Sequence, residues 1–258
     1  MPWSSLTIPM LLPGYVLVLT RLSGLVLAAP MLSSDQIPRR LRALFAAAMA
    51  LVLFPALLPT IPANLTLQAA LPGLAGELMI GVLMGLGLQL LFNTARLAGM
   101  VMGQQGGLSL AQSYDPLSND QTTALGQIYY LVLFFVFLLA GGHRAMVRSL
   151  LDSFQVVPLM SFTAGEGHLG LLLDLLRSSY LTAMRLAGPC LIALLMATLA
   201  MGFLSKTMPQ LNILSVGFMV RVLLVMGVAA VSLGASGSLM ADHTYDTFVI
   251  IRNAFSLP

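Results

Sequence analysis

Long apolar runs separated by short polar segments make up most of this chain. Six such runs are typical of membrane-spanning helices, since a helix crosses a bilayer core with about 20 mostly apolar residues. An amphipathic stretch at residues 143–168 follows the fourth run, and a less apolar segment at residues 238–255 ends the pattern. The chain is therefore predicted to have an all-α, membrane-associated fold. The six runs cover residues 6–32, 43–58, 71–103, 124–140, 169–204 and 211–233.

Two of the runs are too long for a simple span. As one helix, residues 71–103 would be about 50 Å long, against a hydrocarbon core of about 30 Å, and residues 169–204 would be longer still. We therefore expect these helices to kink, to tilt or to project beyond the bilayer. Because proline removes a helical hydrogen bond, Pro13 is expected to bend or end the first helix, Pro55 to help end the second, and Pro189 to break the fifth.

The composition indicates a multi-span membrane protein or the core of a larger apolar assembly. Hydrophobic residues make up 58% of the chain and charged residues 8%, and the mean hydropathy is +0.94, whereas soluble domains are about 25% charged. The net charge of +3 comes from scattered arginines, so nucleic acid is not an expected partner, because its binding needs a clustered basic face. Arg39, Arg40 and Arg42 are better interpreted as a loop anchor beside membrane lipid.

Four charged residues lie inside apolar runs: Arg21, Glu77, Arg185 and Arg221. Because a charge at the bilayer centre costs about 2.5–3.5 kcal/mol or more, each must pair inside a bundle, face water, or lie outside the lipid. Glu77 is the only acid well inside a run, and each of the three arginines is a candidate partner. Two interpretations of Glu77 stay open, a structural ion pair and a proton relay.

Glycines at helical spacing predict close helix packing. Gly81 and Gly85 form one GxxxG pair, and Gly99 and Gly103 begin a ladder that continues to Gly107. Residues four apart lie on nearly one helix face and let another backbone approach closely. The sequence leaves open whether that neighbour belongs to the same chain or to another subunit.

The polar segment after the third run is the most unusual part of the chain. It is small, polar and uncharged until Asp115. Non-helical backbone at membrane depth is tolerated only where protein buries it or water bathes it. The segment is therefore either a surface loop or a re-entrant, pore-lining element. Its candidate residues are Gly106, Gly107, Leu108, Ser109, Leu110, Ala111, Gln112, Ser113, Tyr114, Asp115 and Pro116.

One apparent catalytic motif is rejected on spacing. Residues 234–237 read Gly-Ala-Ser-Gly, as in intramembrane serine proteases, and His243 follows Ser236 by seven positions. On one helix the two side chains would be about 10 Å apart along the axis, which is beyond hydrogen-bond reach. No metal-ligand spacing and no phosphate-binding loop is evident, so we expect neither an enzyme nor a cofactor.

Several short motifs follow one another across most of the chain. Their order and spacing resemble the FliR family of flagellar export-gate proteins, whose relative in virulence secretion systems is SctT. Met219 departs from the pattern, because family members commonly carry a proline there. The motifs are Arg21-Leu22-Ser23-Gly24, Ile37-Pro38-Arg39-Arg40-Leu41-Arg42, Glu77 with Gly81 and Gly85, Gly99 to Asp115-Pro116, Gly142-His143 with Ser153-Phe154 and Pro158, and Pro209-Gln210-Leu211-Asn212-Ile213 with Gly217-Phe218.

The resemblance implies an architecture of kinked helical hairpins. Residues 1–258 would form a single export-gate domain, with a FliP-like part at about 1–168 and a FliQ-like helical hairpin at about 169–258. Such a chain would assemble with FliP-like and FliQ-like subunits, and with an FlhB-like protein, at the flagellar basal body in the bacterial inner membrane. Much of its helical mass would lie above the membrane plane.

The resemblance also implies a function without catalysis. The assembly would pass unfolded polypeptides across the membrane, and the loop from Gly106 to Pro116 would act as a plug in the pore. Two alternatives stay open: a SctT-type subunit of a virulence type III secretion system, and a small-molecule membrane transporter acting alone.

Overall fold

The described part of the chain is helical throughout. A computed structural model of the protein describes residues 8–30, 37–61, 67–108, 123–162, 166–208, 210 and 212–255, and these residues contain no strand. The prediction of an all-α fold is confirmed. The helices are α1 (Ile8–Ala28), α2 (Arg39–Leu57), α3 (Leu67–Gln105), α4 (Ala124–Leu139), α5 (Gly142–Val156), α6 (Glu166–Thr207) and α7 (Ile213–Phe255), and a short 3-10 turn (Leu58–Thr60) follows α2.

Five of the described helices are long and apolar enough to cross a membrane, and α4 with α5 counts as a sixth if that pair is one broken span. Three of them are much longer than a bilayer requires: α3 has 39 residues, α6 has 42 and α7 has 43. At about 1.5 Å per residue each is roughly 60 Å long. The prediction of overlong apolar helices is confirmed.

Proline ends fewer helices than the sequence suggested. Pro13 lies inside α1, Pro55 inside α2 and Pro189 inside α6. Helix α2 nevertheless ends at Leu57, close to the predicted end at about Leu58, whereas α6 continues past Pro189, so that proline does not divide the helix into two. A proline removes one helical hydrogen bond, whereas ending the helix in apolar surroundings would leave several backbone groups without partners.

The end of the sixth apolar run was also misjudged. We placed the end of this run at about Leu233, but α7 continues from Ile213 to Phe255. The segment after Leu233 is made of small residues, Gly234, Ala235, Ser236 and Gly237, without proline. Glycine lowers helix propensity by only about 1 kcal/mol, so the helical backbone bonds of an apolar segment outweigh it.

The chain divides into two compact units. Unit 1 consists of Met1–Leu90, His143–Leu176 and Asp246–Pro258, and unit 2 of Leu91–Gly142 and Arg177–Tyr245. The core of unit 1 includes the fully buried side chains of Leu17, Leu22 and Ile80.

An aromatic cluster forms much of the core of unit 2. The ring of Phe92 lies with its centroid 5.6 Å from that of Tyr130 and 5.3 Å from that of Phe137. Rings at such distances add attraction beyond the burial of their area. The cluster therefore joins α3 to α4.

Candidate functional site

Helices α1 and α3 cross at three glycines in unit 1. A Cβ atom at Gly81 would overlap the carbonyl oxygen of Arg21, and a Cβ atom at Gly24 would lie 2.5 Å from the carbonyl oxygen of Leu78. A Cβ atom at Gly85 would lie 2.5 Å from the Cβ of Ala28. The two helix backbones therefore touch, and Gly81 and Gly85 serve packing within the chain.

This crossing brings Arg21 to Glu77. The Nε of Arg21 donates to Oε2 of Glu77 at 2.6 Å, and both side chains are fully buried. A paired arginine and glutamate carry no net charge, which removes much of the cost that either would have alone in an apolar interior. Of the three candidate partners for Glu77, the structure selects Arg21.

The segment after α5 completes the site. Arg21 donates from Nη1 to the hydroxyl of Ser153 and from Nη2 to the carbonyl of Val157, each at 3.1 Å. Its guanidinium carbon lies 4.1 Å from the centre of the Phe154 ring, a cation–π contact. The arginine therefore ties α1 to α5 as well as to α3.

Glu77 holds the turn that follows. Its Oε1 accepts from the backbone N–H of Met160 at 3.0 Å, so each carboxylate oxygen has a donor. Met160 adopts φ 70°, a left-handed conformation that costs a non-glycine residue about 1–2 kcal/mol. Its side chain lies against Gly73, where a Cβ would be 2.8 Å from the Met160 Cγ. We name this group of Arg21, Glu77, Ser153, Val157 and Met160 the buried ion-pair site.

The sequence identified the two charged residues of the buried ion-pair site but not the polar groups that hydrogen-bond to them. Ser153, Phe154 and Pro158 had been noted only as part of a resemblance. Nothing in the local pattern says that a serine more than a hundred positions from Arg21 contacts it, because that contact depends on which helices cross.

The other two arginines that had been singled out lie in unit 2. Arg185 is exposed on α6, and Arg221 is half-buried on α7. The Nε of Arg221 is buried and has no hydrogen-bond partner among the described residues.

The glycine ladder of α3 packs against the start of α4, also in unit 2. A Cβ at Gly99 would overlap the backbone of Gly126, and one at Gly103 would lie 3.1 Å from Cγ2 of Thr123. The Thr123 hydroxyl donates to the carbonyl of Gly99 at 3.2 Å and accepts from the N–H of Gly126 at 3.1 Å. Thr123 therefore caps α4 and also fastens it to α3.

The polar loop leaves α3 at a glycine turn. Gly106 donates to the carbonyl of Met102 at 2.9 Å, and Gly107 donates to that of Gln104 at 3.1 Å with φ 81°. Cβ atoms there would lie 2.5 Å from Val225 and 3.0 Å from Phe218 of α7. Leu108 follows in a short 3-10 turn. Eight of the predicted loop residues lie outside the described residues: Ser109, Leu110, Ala111, Gln112, Ser113, Tyr114, Asp115 and Pro116.

His243 lies among threonines in unit 2. Its Nε2 is 3.0 Å from the hydroxyl of Thr94, and its Nδ1 is 3.4 Å from that of Thr182. The hydroxyl of Ser236 donates to the carbonyl of Leu233 at 2.9 Å. The arrangement links α3, α6 and α7 through hydrogen bonds.

Comparison with known proteins matches most of this chain to one protein family. Residues 12–247 match the family described as Bacterial export proteins, family 1. The flagellar biosynthetic protein FliR of Escherichia coli (strain K12) is 30% identical over 207 residues, 79% of this chain and 78% of that protein. FliR of Bacillus subtilis (strain 168) is 25% identical over 251 residues, 96% and 92% of the two chains. The surface presentation of antigens protein SpaR of Shigella flexneri is 32% identical over 149 residues, 57% of each chain.

Proposed function

Because the chain belongs to the family described as Bacterial export proteins, family 1, we propose that it is a subunit of the flagellar type III protein-export gate. It forms part of a pore that passes unfolded polypeptides across the bacterial inner membrane at the flagellar basal body, and it performs no catalytic step. The observation that carries this proposal is the family match over residues 12–247. Relatives named flagellar biosynthetic protein FliR that align with most of the chain support it.

The partners in this proposal are FliP-like and FliQ-like subunits, an FlhB-like protein and the unfolded cargo. Residues 1–168 are the FliP-like part and residues 169–258 the FliQ-like hairpin. The exposed apolar surface of α6 and α7 supports enclosure by other subunits: Ile192, Phe203 and Leu223 are 63%, 75% and 71% exposed.

The loop from Gly106 to Pro116 is the plug of the pore. Two contacts support this role. Gly106 and Gly107 fix the start of the loop against α7, and Thr123, just after it, is fixed against Gly99 and Gly103 of α3.

Deletion of residues 109–114 tests the plug. It keeps Gly106, Gly107 and Leu108 in place and leaves eight residues, 115–122, which can reach about 26 Å and so rejoin α4. In a complex co-expressed with FliP-like and FliQ-like subunits, we expect normal assembly and an ion conductance across planar bilayers that the unaltered complex lacks. Unchanged conductance would refute the plug, whereas failure of the unaltered chain to recover either subunit would refute the export-gate function itself.

A SctT-type function in a virulence secretion system is the second candidate. The match to SpaR of Shigella flexneri, 32% identical over 57% of each chain, favours it. The longer coverage of the FliR relatives favours the flagellar function. Complementation separates the two: we expect the gene to restore swimming to a mutant that lacks the corresponding flagellar subunit, and not secretion to a virulence-system mutant.

A further inference from the structure

Unit 2 carries an excess of positive charge on apolar helices. Its described residues include five basic side chains, Arg96, Arg177, Arg185, Lys206 and Arg221, and one acidic side chain, Asp242. Arg185 forms no ion pair with a described carboxylate, and the buried Nε of Arg221 has no hydrogen-bond partner there. The chain itself therefore leaves these two cations without described counter-ions.

Helices α6 and α7 run antiparallel within unit 2. At one end Met201 lies against Gly217, with its Cε 3.2 Å from the position of an added Cβ, and at the other Thr182 lies beside His243. Arg221 follows Gly217 by four residues, so it lies about 6 Å further along α7. It is therefore level with the middle of the C-terminal half of α6.

If this hairpin crosses a bilayer core, no placement of the core avoids arginine. Leaving Arg185 outside restricts the core to residues 186–207 of α6, and Arg221 is level with that window. The opposite window, residues 169–184, contains Asp174 and Arg177 and is shorter than the roughly 20 residues that a span needs. At least one arginine would then lie at membrane depth, whereas in a hairpin that projects above the membrane the exposed apolar surface around Arg185 would itself need protein to cover it.

The side chains around Arg185 favour a protein partner over lipid or water as the group that encloses it. Its neighbours along the exposed face of α6 are large and apolar, Leu181 at 46% and Ile192 at 63% exposure, which does not suit a water-filled path. Lipid does not suit an arginine. Gly188 lies one helical turn from Arg185, and an added Cβ there would have no described atom of another helix within 4 Å, so a second helix can approach closely.

We propose that Arg185 and Arg221 are docking points for carboxylates carried on apolar helices of a different subunit. A second copy of this chain fits less well, because its unit 2 offers one described carboxylate, Asp242, against five basic side chains. This inference rests on the proposed function in one respect: the partner is taken to be another subunit of the export gate.

The test uses the tagged full chain co-expressed with FliP-like and FliQ-like subunits. In the double variant R185Q/R221Q we expect recovery of at least one partner subunit to fall by about tenfold or more. Lys206→Gln, exposed at the end of the same helix, should stay within about twofold. Recovery of all partner subunits by the double variant at the unaltered level would overturn the proposal. If the unaltered chain recovers no partner, the proposed function fails instead.

Gly188→Leu covers the case in which the double variant does not accumulate in the membrane. The Cβ of the new side chain has no described atom of another helix within 4 Å, so loss of partner recovery by a variant that still accumulates in the membrane reports the interface. Unaltered recovery with Gly188→Leu would then overturn the proposal.

Two further measurements test whether water or lipid, rather than a protein subunit, lies against these arginines. In a Cys190→Ala background that keeps Arg185, Ile192→Cys on the same exposed face of α6 should be protected from a water-soluble thiol reagent in the assembled gate, whereas Lys206→Cys should react. Equal reaction would show that this face of α6 meets water, and would contradict the inference. Native mass spectra in which R185Q/R221Q loses phospholipid but keeps every subunit would assign the arginines to lipid headgroups.

Discussion

Arg21 and Glu77 are 56 positions apart in the sequence, yet the arginine Nε donates to the glutamate Oε2 at 2.6 Å in a fully buried pair. The pair joins two helices whose backbones touch at Gly24 and Gly81. It also holds the turn after α5 through the carbonyl of Val157 and the N–H of Met160. Because both carboxylate oxygens already accept hydrogen bonds, the geometry favours a structural ion pair over a proton relay.

Glu77→Gln should destabilise the protein by about 3–5 kcal/mol, because it leaves the buried guanidinium of Arg21 without a counter-charge. Unfolding in mixed detergent micelles measures the difference.

The matched control is the double variant Arg21→Met with Glu77→Leu, which removes both charges and should recover part of that loss, less the cost of leaving the Val157 carbonyl and the Met160 N–H without these partners. If the double variant assembles with normal stability but no longer exports protein, Glu77 acts as a proton carrier rather than as a structural group.

Gly81→Ala should destabilise the protein by about 1–3 kcal/mol, because the added methyl group overlaps the carbonyl of Arg21 and forces α1 and α3 apart. Gly227→Ala is the matched control in α7, since a Cβ there has no described atom of another helix within 4 Å. It should leave stability unchanged or raise it by up to about 1 kcal/mol. Equal thermal stability of the two variants would contradict the observed helix crossing.

Gly107→Ala should cost about 1–2 kcal/mol, because alanine disfavours the left-handed conformation at φ 81°. Gly107→Asn adds the same Cβ beside Phe218 but tolerates that conformation better, so it should be the more stable of the two in a thermal unfolding series. The reverse order would show that crowding against Phe218, and not the backbone, fixes this position.

Thr123→Val should cost about 0.5–2 kcal/mol, because it removes the hydroxyl that caps α4 while keeping the methyl group that packs on Gly103. Thr123→Ser retains the cap and should restore most of this difference in the same unfolding measurement. A valine variant as stable as the serine variant would mean that the methyl contact alone fastens α4.

The sequence was sufficient for the fold class and the family, and both predictions are confirmed. Apolar runs identify helices whatever their neighbours are, so α3 and α6 were located to within a few residues. The family match covers residues 12–247, in agreement with the resemblance carried by motifs such as Gly217-Phe218.

Contacts between helices were harder to predict from the sequence. Three arginines were equal candidates for Glu77, because only the approach of α1 to α3 at Gly81 decides among them. The prediction did not extend the last helix through Gly234 and Gly237. Glycine has a low helix propensity, but an unbroken helix satisfies the backbone hydrogen bonds in apolar surroundings. The plug role of residues 106–116 comes from the family resemblance, because eight of these residues lie outside the described part of the chain.

The composition of the assembly tests the central claim, that helices this long and apolar are stable only when other subunits enclose them. The measurement is the native mass of the tagged chain, purified in mild detergent after co-expression with FliP-like and FliQ-like subunits. The account predicts one hetero-oligomer that contains all three kinds of chain. A folded monomer of 27.4 kDa with no bound subunit would contradict it.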